Sequence, residues 1–116
     1  MTKFNKIWGT TSKLFGTNNV EIHRIEINKN SFCSKHFHQY KHNGFYLESG
    51  SLEINVWNRD SDILDVTRLK PGDYTTVEPN IDHQFLALED SIAYEIYWTE
   101  FSGEDIIRQI PGGKKE

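Results

Sequence analysis

The feature that most constrains how this chain can fold is a series of short β-type runs, none longer than eight residues. Val20–Ile27 is rich in β-branched side chains, and residues 51–56 alternate with Leu52, Ile54 and Val56 on one face. Residues 63–69, 74–77, 83–88 and 92–99 follow in the same manner. Turn formers separate them: Asn28-Lys29-Asn30, Ser49-Gly50, Asn58-Arg59-Asp60, Pro71-Gly72-Asp73 and Glu78-Pro79-Asn80. Strands this short and this numerous cannot bury a face alone, so they predict an all-β sandwich or barrel. Helical turns are expected only in the N-terminal segment and in residues 103–109. The chain divides into an N-terminal arm (1–19), a barrel (20–101) and a C-terminal tail (102–116) whose end, residues 111–116, is expected to fray.

With 116 residues the chain makes one domain. A net charge of -4 argues against a nucleic-acid surface. No apolar run is long enough to span a bilayer, and Met1-Thr2-Lys3-Phe4-Asn5 lacks the apolar core of a signal peptide. The single cysteine, Cys33, excludes an internal disulfide. Together these features point to the cytoplasm.

The chemistry-bearing stretch is Ser34-Lys35-His36-Phe37-His38, with His83 far along the chain. On a strand, His36 and His38 would point to the same side. A third imidazole at the start of another strand completes a set that can hold one divalent transition metal, Zn, Fe, Ni, Mn or Cu. Strand parity offers two candidates for a fourth ligand. If Asn43 points inward, so do Phe45 and Leu47. If His42 does, Gly44, Tyr46 and Glu48 share its face, and a glutamate is buried. The first register is preferred, with His42 as the alternative. Three imidazoles and an amide leave the ion's charge uncompensated, which favours anionic ligands and acidifies bound water.

These residues resemble a cupin. His36-Phe37-His38 is followed by four residues, Asn43, and six more to Gly50, which matches the first cupin motif except for its Glu. The stretch Gly72-Asp73-Tyr74-Thr75-Thr76-Val77-Glu78-Pro79-Asn80-Ile81-Asp82-His83 fits the second. Trp8-Gly9, Glu21-Ile22-His23-Arg24-Ile25 and Gly103-Glu104-Asp105-Ile106-Ile107-Arg108 also look like the cupin domain of bacterial type II mannose-6-phosphate isomerases. The resemblance runs from about Trp8 to Arg108. It implies a double-stranded β-helix (jelly-roll) barrel with a metal in its mouth and a pocket suited to sugar phosphates. Two departures stand out. That family has Gln-x-His in place of His36-Phe37-His38, and Glu-His-Trp in place of Asn43-Gly44-Phe45, so the expected carboxylate is absent.

Other residues have weaker assignments. Glu95, if it enters the cavity from the opposite wall, is the candidate general base. Lys41 stands where the isomerase-like cupins have an Arg and is a candidate phosphate contact. Of the aromatic residues Tyr74, Phe85, Tyr94, Tyr97 and Trp98, which supply a core or a dimer face, Phe85 is the candidate to line a ligand pocket. His23, among charged neighbours, reads as solvent-facing. By alternation Cys33 faces away from the histidines and packs. Glu100, Glu104 and Asp105 read as a solvated face or a helix N-terminal turn.

Three functional classes fit: a metal-dependent enzyme of isomerase type acting on a small, anionic, carbohydrate-like substrate; an Fe- or Cu-dependent dioxygenase; and a non-catalytic sugar- or metabolite-binding protein. A homodimer is expected, because pairing would cover exposed strand edges.

Overall fold

A computed structural model describes residues 2–58, 62, 64–99 and 106–115. Among them are nine strands and no helix. They are β1 (Lys3–Lys6), β2 (Gly9–Gly16), β3 (Val20–Ile27), β4 (His42–Ser49), β5 (Leu52–Trp57), β6 (Leu64–Leu69), β7 (Tyr74–Val77), β8 (Asp82–Ala87) and β9 (Ser91–Trp98). All pairings are antiparallel. The larger sheet runs β1-β2-β3-β9-β4-β7 and the smaller β6-β5-β8. No helix of the described residues is long and apolar enough to cross a membrane.

Alternation along each strand builds the core. Ile25 and Ile27 of β3, Phe45 and Leu47 of β4 and Ala93 of β9 face Leu52 and Ile54 of β5, Leu69 of β6, and Phe85 and Ala87 of β8. The alternation predicted for residues 51–56 is thus that of β5. Two sharp turns use the left-handed region that glycine adopts without strain, Gly50 (φ 96) between β4 and β5 and Gly72 (φ 92) between β6 and β7.

Three expectations need correction. The described N-terminal residues contain no helical turn: β1 and β2 form a hairpin that extends the larger sheet beyond β3. Residues 106–109 carry neither helix nor strand, and 103–105 lie outside the described residues, as do Glu100, Glu104 and Asp105. Finally, His36 and His38 are not on a regular strand. Their segment pairs with β8 through the isolated bridges Phe32↔Leu86 and His36↔His83, and the register slips by one residue between the two. That slip inverts parity, so Cys33 and His36 face the same interior space.

Candidate metal centre and its cavity

The backbone fixes the three histidines to one another. His36 and His83 exchange both backbone bonds, His36 N–H to the His83 carbonyl at 3.1 Å and His83 N–H to the His36 carbonyl at 2.8 Å. Two residues on, the His38 carbonyl accepts the Asn80 N–H at 2.7 Å, which ties this segment to the turn before β8. The rings converge, with centroids 4.7 Å (His36–His83), 5.1 Å (His36–His38) and 5.5 Å (His38–His83) apart. Their potential ligand atoms all lie within 4.8 Å of one another. Metal–nitrogen bonds of about 2.0–2.1 Å need only a small inward swing of these rings.

Hydrogen bonding sets which nitrogen each ring offers. His83 Nδ1 lies 2.9 Å from the Ile81 carbonyl and His36 Nδ1 2.9 Å from the Ser34 carbonyl. A carbonyl accepts only, so both Nδ1 atoms carry the proton and both Nε2 atoms keep a lone pair. His38 Nε2 is buried with no hydrogen-bond partner. Asn43, at the start of β4 and fully buried, brings its Oδ1 to 3.1 Å from His83 Nε2. Two lone pairs at that distance repel unless positive charge lies between them. They are spaced as adjacent ligands of one cation are. The orphaned His38 nitrogen and this facing pair are what a bound divalent ion would satisfy, so the donor set fits a metal.

The site's ionisation agrees. Burial, then the neighbouring His36, His83 and Lys41, push His38 down to about 4. Burial also lowers His83, against the opposing effect of the Ile81 carbonyl. Both rings are therefore neutral near pH 7, the form that coordinates a metal. His42 is not brought to the cluster. It pairs in register with Trp98, and its ring stacks on that indole at 5.3 Å, interplanar angle 11°. Strand parity places it on the face opposite Asn43.

A cavity of about 390 Å³ opens beside the histidines. Its far wall comes from β9 and β3, where Glu95 stands opposite His23 on one side and Phe45 on the other. Glu95 is buried and lines this cavity, and the Tyr97 hydroxyl donates a short hydrogen bond to its Oε2. Burial raises the Glu95 carboxyl, opposed by the Tyr97 bond and by His23 and His36. Burial and the adjacent Glu95 keep the Tyr97 hydroxyl protonated. The Tyr97 ring meets His38 edge-on at 5.2 Å and His23 at 5.7 Å. Lys41 also lines the cavity, its Nζ 5.4 Å from the centre of the Tyr97 ring. Phe85 forms part of the apolar floor, with the Trp8 ring edge-on at 5.0 Å.

Two residues read as lying away from the site line it instead. His23 is half-buried in the cavity wall, its Nε2 3.3 Å from Glu21 Oε2. Its sequence signal was parity: His23 shares a strand face with Ile25 and Ile27. Cys33 lines the cavity as well, and burial pushes its thiol up to about 12, so it stays protonated. Tyr97, considered only as packing, proves to be the partner of Glu95.

No family model matches the chain, and no curated protein matches its sequence. Solved structures do match. KdgF from Halomonas sp. superposes with a TM-score of 0.74 at 16% identity, covering 87% of this chain and 88% of that one. Bacillus subtilis oxalate decarboxylase, studied for its Mn(II) centres, gives 0.75 at 14% identity over 87% of this chain. The chain has the cupin fold. It spans 28% of that decarboxylase's length, so the correspondence is to one part of a larger protein. A conserved Streptococcus pyogenes protein of unknown function superposes with a TM-score of 0.66 at 15% identity, with 79% of this chain and 75% of that one covered. At such identities the likeness is one of fold, and function must be argued from the site.

Proposed function

We propose that this cupin is a metal-dependent enzyme that acts on a small, anionic, carbohydrate-like compound by isomerisation or another proton transfer. The observation that carries this reading is that one cavity is lined both by two histidines of the three-histidine cluster, His36 and His38, and by a buried carboxyl group, Glu95. His36, His38 and His83 would hold the ion, with Asn43 as a weak neutral fourth ligand. The metal would supply Lewis acidity toward a carbonyl or hydroxyl oxygen. Glu95 would take the proton from the adjacent carbon. Its raised affinity for protons suits a base working near neutral pH, and the Tyr97 hydroxyl holds the carboxylate oxygen in a fixed direction. Lys41 at the cavity wall offers a positive charge to an anionic substrate group. The apolar floor around Phe85 limits water at the reacting atoms. The resemblance to type II mannose-6-phosphate isomerases supports the sugar-phosphate end of this range. The replacement of the motif Glu by Asn43 shifts the acid–base task to Glu95.

The test is elemental mass spectrometry of untagged protein beside a His36→Ala/His38→Ala variant. Near-stoichiometric Zn, Ni or Mn in the parent, lost in the variant, is expected. Fe or Cu together with oxygen consumption would replace this reading with a dioxygenase. A parent that is empty and takes up no added metal would leave a ligand-binding protein without a metal.

A further inference from the structure

A second concavity, of about 790 Å³, adjoins the histidine cavity and shares Lys6, Trp8, Cys33 and Ser34 with it. Its remaining apolar lining is Ile7 and Phe32. Ile7 is fully exposed at the β1–β2 turn, and Phe32 is 59% exposed. We propose that the ligand whose oxygen atoms meet the histidine cluster also carries an aromatic or branched apolar group that lies in this second cavity, against Trp8, Ile7 and Phe32. The inference rests on the metal-site reading above but departs from its carbohydrate-like substrate, pointing to acids or enolisable carbonyl compounds with an apolar arm.

Three observations carry it. The walls are set in place: the Trp8 carbonyl accepts the Asn28 N–H at 2.8 Å, its ring packs edge-on against Phe85, and Phe32 is held by its bridge to Leu86. Of the polar residues in the lining, Lys6, Asn30, Ser31, Ser34 and Gln84, the Gln84 amide is already engaged, donating to the Cys33 carbonyl at 2.7 Å. Ile7, Trp8 and Phe32 give the lining three large apolar side chains for an apolar group to lie against. Lastly, Lys6 stands where the cavities adjoin, so a cation marks the point at which an anionic head would give way to an apolar body. Large apolar side chains left exposed beside a concave polar site are the surface a ligand covers.

Pyruvate and phenylpyruvate differ by the phenyl ring alone and are suitable probes. Their affinities would be measured by calorimetry on the metal-loaded full chain, with metal content determined on the same samples. Burial of a phenyl ring predicts phenylpyruvate binding at least about tenfold tighter than pyruvate. Phe32→Ser and Ile7→Ser, both at exposed positions, should each reduce that ratio to about threefold or less while keeping the parent's metal content. A ratio near one in the metal-loaded parent, or a preference that survives both substitutions, would overturn the inference and leave the metal reading standing. Binding of neither acid by metal-loaded protein would also overturn it. Failure to take up metal at all would overturn both. Substitutions that convert a dimer to a monomer without changing the ratio would assign the apolar surface to a second copy of the chain instead.

Discussion

Glu95 is a carboxylic acid in a place where ionisation is costly, and that makes its contribution to stability depend on pH with a definite sign. Its ordinary pKa of 4.5 applies to the unfolded chain, and burial raises it in the folded state. Below about 4.5 both states are protonated and nothing is lost. As pH rises above that, the unfolded chain ionises first, so stability falls until the folded-state carboxyl has ionised too. Glu95→Gln removes this dependence while keeping an oxygen to accept the Tyr97 hydroxyl. In metal-free protein, the variant should gain on the parent steadily from pH 4.5 upward, reaching roughly 1–3 kcal/mol at alkaline pH, the usual scale for a poorly compensated buried polar group. Urea unfolding of both proteins at pH 4.5, 6 and 8 measures it, and a constant difference across the series would refute the assignment. The sequence left the direction of Glu95 open; strand alternation says only that Tyr94 and Ile96 take the face opposite to it, and in the structure Glu95 lines the cavity. Its hydrogen bond to Tyr97 was not legible in the same way. Residues two apart share a face, yet nothing in the sequence says that their side chains will turn toward each other and not toward the barrel interior.

At the scale of elements, the turn joining β4 to β5 shows how little freedom the frame has. Gly50 sits at φ 96, and a Cβ built there would stand 2.5 Å from the Asp90 carbonyl oxygen and 2.7 Å from Ser91 Cα. The Ser91 hydroxyl, 3.1 Å from the Ser51 N–H, bonds the same turn to the start of β9. Gly50→Ala therefore combines a disfavoured backbone angle with a clash against backbone, and should cost about 2–3 kcal/mol in urea unfolding. A loss below roughly 0.5 kcal/mol, the range of ordinary surface changes, would show that the turn can relax. Val20–Ile27 and Tyr74–Val77 were readable to the residue because β-branched side chains and turn formers marked both ends. The β1–β2 hairpin was not, for a physical reason. Every residue of β1 is exposed and, of β2, only Ser12 is buried, so pairing with β3 occurs without an apolar alternation that a sequence could display. The histidine segment was readable in chemistry and misread in geometry. The spacing of His36 and His38 suggested a strand, whereas an irregular bridge carries them, and its one-residue slip turned Cys33 inward.

At the scale of the whole molecule, the chain is more extended than its length requires. Its radius of gyration is 16.7 Å, against about 13 Å for a compact domain of this size. The outside of the larger sheet carries an apolar patch. Trp98 lies over Gly44, where an added Cβ would come 3.0 Å from its Cζ3 atom. Around it a pocket forms whose lining includes Tyr46, Tyr74, Thr76 and Ile96. Polar pairs stand on the same face: the Tyr94 hydroxyl donates to Glu48 at 2.7 Å, and Arg24 meets Glu26 at 2.6 Å. An apolar aromatic centre beside polar partners is the anatomy of a protein interface. Two-fold pairing of identical chains would set the patch against itself. The face opposite, with Asn43, Glu95 and Tyr97, is turned into the barrel, so such a dimer would leave both cavities open. Sedimentation velocity should therefore find a dimer. Ile96→Glu should weaken it by about thirtyfold or more, the loss of a central contact worth ~2 kcal/mol. The variant's metal content should match the parent's, because Ile96 points away from the histidines. A monomeric parent, or a variant dimer of unchanged affinity, would mean that this patch is not where the copies meet.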